Sequence, residues 1–170
     1  MSQAEPSVND LSPVVPAGVE KVDLPTLLRE SDVVSVLTGL SPQTRHLLGA
    51  DELALMKPSA YLVNTGRGEV IDEAALCAAL RDRRIAGAAL DTFTVEPLAA
   101  ASPLRTLENV ILTPHCVGHS VEGNAALGPA MVDNIRRMLA GDLPLHCANP
   151  AAETAWRHRL NALQTKDTSS

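Results

Sequence analysis

Short apolar runs alternate with helix-like segments through the middle of the chain. Because each run is five or six residues long and rich in Val, Ile, Leu and Ala, it predicts a strand. The predicted strands are Asp32–Leu37, Ala60–Thr65, Ala88–Phe93 and Asn109–Thr113. Capped segments of about ten residues between them predict helices, and this alternation indicates an α/β protein with a parallel sheet. The β-branched run Asp32–Leu37 further predicts a strand covered on both faces.

The two ends of the chain show other patterns. Residues 1–18 carry three prolines without periodicity and predict a flexible arm. Residues 19–143 form the predicted α/β domain, in which Asp23 and Asp72 cap helices and a long helix begins at Ser120. Residues 144–163 predict a further helical segment, and residues 164–170 a polar tail.

Polar side chains follow three of the predicted strands. Arg67 comes after Thr65, Asp91 and Glu96 lie at and beyond the third strand end, and His115 follows the last strand. Ligands of parallel sheets bind outside the carboxyl ends of the strands, so we expect these residues to meet at one edge. A guanidinium can bind a planar carboxylate through two hydrogen bonds. A carboxylate beside an imidazole raises its pKa and fixes its tautomer, which suits proton transfer near neutral pH.

Each of these residues also allows a purely structural interpretation. Arg67 could be a solvated charge or a cap for neighbouring carbonyl groups, and Glu96 an exposed loop acid. His115 could be a turn residue bonded to backbone, and Asp91 an acceptor for loop N–H groups rather than a ligand-facing carboxylate. The two glycines that flank Arg67, Gly66 and Gly68, could admit a cofactor or simply form a tight turn.

A metal site is not predicted. His115, Cys116 and His119 have a spacing that would suit metal binding on a helix. Pro114 and Gly118 interrupt that segment, so a continuous helix is not expected there.

Composition narrows the classes of partner. A net charge of −6 and an aromatic content of 2% argue against binding to nucleic acid, which requires a basic face or stacking platforms. No apolar run approaches the length of a membrane span, and no signal peptide is found. Three cysteines without C-x-x-C spacing predict reduced thiols and a cytoplasmic protein.

Three stretches resemble the cofactor domain of the D-isomer-specific 2-hydroxyacid dehydrogenases. They are the stretch from "DVVSVL" to "NTGRGEVIDEAAL", then "AGAALDTFTVEPL", and "NVILTPHCVGHS". The resemblance implies that Arg67 binds the substrate carboxylate, that Glu96 pairs with the catalytic histidine, and that His115 is the general acid–base. It implies NAD or NADP as cofactor and hydride transfer between nicotinamide and a 2-keto or 2-hydroxy acid. The residues that it assigns to cofactor binding are Thr65, Gly66, Arg67, Asp91, His115 and Gly118.

The chain also departs from the family pattern. The family's "H-x-P" loop reads Leu37 to Gly39 here, and neither a G-x-G-x-x-G motif nor the lid domain is found. We therefore expect a partial Rossmann-like, doubly wound parallel sheet of about four strands with flanking and C-terminal helices. Residues 144–163 would then return toward the missing substrate domain.

This departure leaves two hypotheses for the function. The first is a 2-hydroxyacid dehydrogenase, although we expect the isolated chain to show no measurable turnover. The alternative is a truncated, non-catalytic fragment that acts as an interaction or assembly module. Because Val33, Val34 and Val36 would lie on an uncovered sheet edge, we expect a homo-oligomer or association through that edge.

Overall fold

The computed structural model describes residues 7–8, 16–145 and 147–167, with side chains given for residues 16–145 and 147–160. Contacts divide the chain into two compact units, of which the first ends at Val117 and the second begins at Gly118. This division comes earlier than the predicted boundary at residue 143. The predicted domain boundaries therefore stay a prediction.

A small two-stranded sheet lies in the first unit. Strand β1 (Ser7–Val8) pairs in parallel with β2 (Glu20–Lys21). Ser7–Val8 falls within the predicted flexible arm, so the arm contains at least this strand. The other residues of 1–15 lie outside the described part of the chain.

The main sheet of the first unit contains four parallel strands that follow one another in chain order. They are β3 (Val33–Val36), β4 (Tyr61–Asn64), β5 (Gly87–Leu90) and β6 (Val110–Leu112). Each corresponds to one of the predicted apolar runs and is two residues shorter, and β5 also begins one residue earlier than predicted. The predicted α/β class, with a Rossmann-like parallel sheet of about four strands, is confirmed.

Three helices pack against one face of this sheet. Helix α1 (Leu24–Glu30) begins after Asp23, whose carboxylate accepts the Thr26 N–H group. Helix α2 spans Ala50–Leu55, and α3 spans Glu73–Arg81 behind the predicted cap Asp72. Crossovers between parallel strands are right-handed. Because each strand from β4 to β6 lies on the same side of the strand before it, the connecting helices lie on the same face of the sheet. The core there includes Leu28, Val34, Val36, Leu53, Leu62, Leu76, Leu80 and Leu90.

Within the first unit, the opposite face of the main sheet is exposed. Val33 is 59% exposed, Tyr61 55% and Ile111 68%, whereas Val34 and Val36 on the helix side are buried. The prediction that Asp32–Leu37 is covered on both faces is therefore wrong for one face. The crossover helices that follow β3 all lie on the face of Val34 and Val36, so they cannot cover the opposite face of the strand.

The second unit contains two helices. Helix α4 (Val121–Leu139) begins at the predicted cap Ser120, whose hydroxyl accepts the Gly123 N–H group at 2.9 Å. Helix α5 (Glu153–Asp167) extends into the predicted tail, because no glycine or proline interrupts residues 164–167. None of the helices in the described residues combines the length and the hydropathy that crossing a membrane requires.

Candidate active site

The turn that carries Arg67 is tied to the end of β4 by a buried side chain. Asn64 is 1% exposed, and its Oδ1 atom accepts the Gly66 N–H group at 3.0 Å. Its Nδ2 atom donates to the Arg67 carbonyl oxygen at 3.1 Å. Sequence reasoning missed Asn64, although an amide at an inward-facing strand position was a signal, since buried polar side chains need partners.

The two glycines beside Arg67 serve backbone packing. A Cβ atom on Gly66 would lie 2.7 Å from the Thr38 carbonyl oxygen. A Cβ atom on Gly68 would lie 2.0 Å from the carbonyl carbon of Phe93. These approaches support the tight-turn interpretation, because neighbouring strand ends rather than open space face both glycines.

Arg67 is exposed at this edge of the sheet. Its Nη1 atom donates to the Gly66 carbonyl oxygen at 2.7 Å, which is the capping interaction considered above. The positive charge of Arg67 also acts on the carboxyl group of Glu96. The guanidinium thus lies within electrostatic range of the next predicted catalytic residue.

Glu96 is held by the loop that follows β5. Its Oε1 atom accepts the Phe93 N–H group at 3.0 Å, and its Oε2 atom lies 2.8 Å from His115 Nδ1. The hydrogen bond with His115, followed by the bond from Phe93, holds the pKa of Glu96 below its ordinary value despite opposing desolvation. The charges of His115 and Arg67 act in the same direction.

The lowered pKa of Glu96 decides how the two side chains share a proton. An ionised carboxylate can only accept hydrogen bonds, so the Nδ1 atom of His115 must be the donor. The neutral imidazole then carries its proton on Nδ1, and its Nε2 atom has a free lone pair. His115 is 46% exposed and Glu96 37%, so this pair is open to small molecules.

The loop around His115 is bonded to a buried acid. Asp91 is 3% exposed, and its Oδ1 atom accepts the Thr113 hydroxyl at 2.5 Å and the Cys116 N–H group at 2.9 Å. Its Oδ2 atom accepts the Val117 N–H group at 3.1 Å. Desolvation opposes ionisation of Asp91, but these three hydrogen bonds outweigh it and lower its pKa. Asp91 therefore accepts hydrogen bonds from the loop, which is the structural interpretation given for it above.

The remaining predicted cofactor residues fall in both units. The Thr65 N–H group donates to the Val36 carbonyl oxygen at 3.2 Å, which extends the ladder between β3 and β4. Gly118 is the first residue of the second unit, where its carbonyl oxygen accepts the Ser120 N–H group. Their roles in cofactor binding stay predictions. In the described part of the chain, no group of three or more His, Cys, Asp and Glu side chains could hold a metal ion.

A pocket of about 540 Å³ opens beside the Glu96–His115 pair. Its walls are mostly apolar, and Arg105 contributes a charged side chain. The Arg105 guanidinium donates to the carbonyl oxygens of Leu98 and Ala99, at 2.9 and 3.0 Å, and thereby fixes the loop that forms one wall. The pocket gives a small molecule access to the carboxylate–imidazole pair.

The lowered pKa of Glu96 predicts a pH-dependent contribution to stability. A carboxyl group whose pKa is lower in the folded state stabilises the protein above its unfolded pKa, near the ordinary value of 4.5. That contribution is lost as the pH falls through the folded pKa. We therefore expect the stability advantage of the unchanged protein over Glu96→Gln, measured by urea unfolding, to shrink between pH 5.5 and 3.

A His115→Ala background provides the control for this measurement. It removes the largest cause of the lowered pKa, so the effect of Glu96→Gln should vary less with pH there. A stability difference that stays constant from pH 5.5 to 3 in the unchanged background would contradict the assignment.

Comparison with known proteins identifies relatives of this chain. A sequence profile described as "D-isomer specific 2-hydroxyacid dehydrogenase, NAD binding domain" matches residues 4–117. Glyoxylate/hydroxypyruvate reductase B of Enterobacter agglomerans is 48% identical over 128 residues, which are 75% of this chain and 40% of that protein. (S)-sulfolactate dehydrogenase of Chromohalobacter salexigens is 47% identical over 134 residues, 75% of this chain and 43% of that protein.

The fold has solved counterparts as well. The D-isomer specific 2-hydroxyacid dehydrogenase of Xanthobacter autotrophicus Py2, in complex with NADPH and MES, matches with a TM-score of 0.69 and 42% identity. That match covers 84% of this chain and 60% of the solved chain. The present chain spans about 40% of the length of the curated relatives it matches. The chain belongs to the D-isomer-specific 2-hydroxyacid dehydrogenase family, whose NAD-binding domain it shares.

Proposed function

We propose that this chain contributes the substrate-anchoring and acid–base residues of an NAD(P)-dependent 2-hydroxyacid dehydrogenase. The reaction is hydride transfer between a nicotinamide and a 2-keto or 2-hydroxy acid. The observation that carries the proposal is the 2.8 Å contact between Glu96 and His115 at the carboxyl edge of the sheet. Arg67 stands on the neighbouring strand end, within electrostatic range of Glu96.

His115 is the proposed general acid–base. Its Nδ1 proton is directed at Glu96, so in the imidazolium form the second proton is on Nε2, which gives it to the carbonyl oxygen of a keto acid during reduction and leaves the neutral ring. In the reverse direction, Nε2 removes the hydroxyl proton. The carboxylate of Glu96 holds the ring in this tautomer and stabilises the imidazolium, as a neighbouring negative charge does.

Arg67 is the proposed anchor for the substrate carboxylate. A guanidinium matches a carboxylate in planar, bidentate geometry, which orients the carbonyl group as well as attracting the charge. Arg67 stands on a short turn fixed by Asn64 and packed on Phe93 through Gly68. A rigid support of this kind suits an anchoring residue, because small displacements reduce catalysis strongly.

NAD or NADP would supply the hydride when bound. The exposed guanidinium and the open imidazole fit the nicotinamide and keto-acid end of such a site. Thr65, Gly66, Arg67, Asp91, His115 and Gly118 are the residues that we propose to lie near the cofactor. Asp91 fits this role least well, because it is 3% exposed and already accepts three hydrogen bonds from its own loop.

An NAD(P)-dependent assay tests the proposed function. NADH or NADPH is the hydride donor for glyoxylate and hydroxypyruvate, the substrates in the name of the Enterobacter relative, and NAD⁺ or NADP⁺ is the hydride acceptor for sulfolactate in the oxidation direction. The assay uses the 170-residue chain and a chimera in which residues 19–117 replace the matching segment of the Enterobacter reductase. We expect the chimera to reduce at least one keto acid. A folded chimera that binds NADH and reduces none would count against the proposal.

We further propose that the chain associates with a second copy of itself. Strand β3 pairs only with β4 among the described strands, and the open face of the sheet is apolar. Exposed edges and contiguous apolar patches both favour association. This assembly function is the second candidate, and it is compatible with the first. The net charge of −6 and the free thiols support the remaining proposals of no nucleic-acid or membrane partner and a cytoplasmic location.

Size-exclusion chromatography with light scattering tests the association. We expect the unchanged chain to elute as a dimer or larger species, and Ile111→Lys on the open face to shift it toward the monomer. Val95→Lys is the matched control, because Val95 is also 68% exposed but lies in a loop. A monomeric unchanged chain would contradict the proposal.

A further inference from the structure

The backbone of His115 adopts a conformation that a histidine does not hold without support. Its φ angle is 53°, in the left-handed region that favours glycine. Such a conformation persists in a non-glycine residue only where the surroundings fix it. The His115 N–H group donates to the Thr113 carbonyl oxygen at 3.1 Å, which by itself fixes only one side of the residue.

Asp91 supplies hydrogen bonds on both sides of His115. It accepts the hydroxyl of Thr113, two residues before the histidine, and the N–H groups of Cys116 and Val117, directly after it. These contacts use both carboxylate oxygens and three of about four acceptor positions on the group. The carboxylate therefore holds the loop at three points that bracket the imidazole.

The strength of this arrangement comes from charge and burial together. Hydrogen bonds to an ionised group are roughly twice as strong as those between neutral groups. Asp91 is 3% exposed, so solvent competes little for its oxygens. An asparagine of the same shape would direct an NH₂ group at one of the N–H donors and lose that contact.

We propose that Asp91 is a positioning residue, which fixes the Thr113–Val117 loop so that His115 faces Glu96. This inference rests on the proposed function in that it gives His115 the acid–base role. A positioning role differs from a cofactor-binding role, because a positioning residue acts on the reaction through the Thr113–Val117 loop and not by contact with the cofactor. Thr113 takes part through its hydroxyl group.

The Asp91→Asn variant of the 170-residue chain tests the inference by two NMR measurements that need no turnover. The first is amide hydrogen exchange of Cys116 and Val117, relative to amides of the main sheet. We expect exchange at these two positions to become about tenfold faster or more, because each loses a bond to a charged acceptor. The second is the carboxyl titration of Glu96, whose pKa should rise toward its ordinary value as the pair with His115 loosens.

Asp72→Asn is the matched control. Asp72 accepts the N–H groups of Ala74 and Ala75 at 3.0 and 3.1 Å, so this variant also removes a charged acceptor of two amides. We expect it to lower global stability to a similar extent, whereas relative exchange at Cys116 and Val117 and the titration of Glu96 should not change. A merely structural role for Asp91 would give the Asp91→Asn variant the same result as this control.

A milder variant decides the question if Asp91→Asn does not fold. Thr113→Val removes one of the three hydrogen bonds, and we expect a smaller change of both readouts in the same direction. The inference is overturned if a folded Asp91→Asn variant, or Thr113→Val in its place, leaves both readouts unchanged. If both readouts shift while the assay finds no reductase activity, the positioning role stands and the proposed function fails.

Discussion

We expect the His115→Ala variant of the chimera to reduce its keto acid with a kcat about a thousandfold lower than the unchanged chimera. A positioned general acid–base typically contributes about 10²–10⁴-fold to the rate. We expect an effect within the upper part of this range because Glu96 holds the imidazole in one tautomer and orientation. Alanine has no group that could transfer a proton in its place. The affinity for NADH should change far less than kcat, since the substitution removes no charge that the cofactor phosphates need.

His46→Ala is the control for this experiment. His46 is also exposed and also has a positive φ angle, of 52°, but its N–H group donates to the Glu69 carbonyl oxygen, outside the site. The His46→Ala variant therefore also replaces a histidine that has a positive φ angle, but it leaves the Glu96–His115 pair intact. Equal losses of kcat in the two variants would show that His115 has no special role.

The Gly68→Ala variant has the largest expected effect on stability. Its new Cβ atom would lie 2.0 Å from the carbonyl carbon of Phe93 and 2.3 Å from the oxygen, and both are backbone atoms that cannot rotate away. Overpacking usually costs about 1–3 kcal/mol. The contact with backbone places Gly68→Ala at the upper end, so we expect the free energy of unfolding to fall by about 3 kcal/mol.

Urea unfolding followed by circular dichroism measures this loss on the 170-residue chain. Gly39→Ala is the matched control, because no heavy atom beyond residue 39 and its two chain neighbours lies within 4 Å of the added Cβ atom, and the φ angle of Gly39 is not in the left-handed region. We expect that variant to change stability by no more than about 0.5 kcal/mol. If Gly68→Ala were as stable as Gly39→Ala, the turn of Arg67 would not lie against the end of β5.

The two effects are connected through the loops at the sheet edge. Gly68 allows the Arg67 turn to rest on Phe93, and the Phe93 N–H group fixes Glu96. A shift of this contact would displace the guanidinium and the carboxylate together. We therefore regard Gly68 as part of the support of the site and not only of the fold.

Local sequence signals were sufficient for much of the fold. The caps Asp23, Asp72 and Ser120 could be predicted because a cap depends only on a side chain and the N–H groups two or three residues later. The strands could be predicted because each is a short apolar run between turns. The exposed face of β3 could not, because its valines are equally apolar on both sides. Their burial depends on the side of the sheet to which distant crossovers return.

The site shows the same distinction. The strand-end rule and the family resemblance singled out Arg67, Glu96 and His115 without any knowledge of the distances between them. The hydrogen bonds of Asn64 and the Thr113 hydroxyl were missed, because their partners are set by the path of the loops. Likewise, only the distance from Gly68 to Phe93 distinguishes a packed turn from a cradle for a cofactor.

The most direct test of the site is ¹⁵N NMR of the His115 imidazole in the 170-residue chain, with the His115→Ala spectrum used for assignment. We predict that the neutral ring carries its proton on Nδ1, directed at Glu96, and that Nε2 is the unprotonated nitrogen of that tautomer. A neutral ring protonated on Nε2, with the same shifts in the Glu96→Ala variant, would show that the carboxylate and the imidazole do not act as a pair.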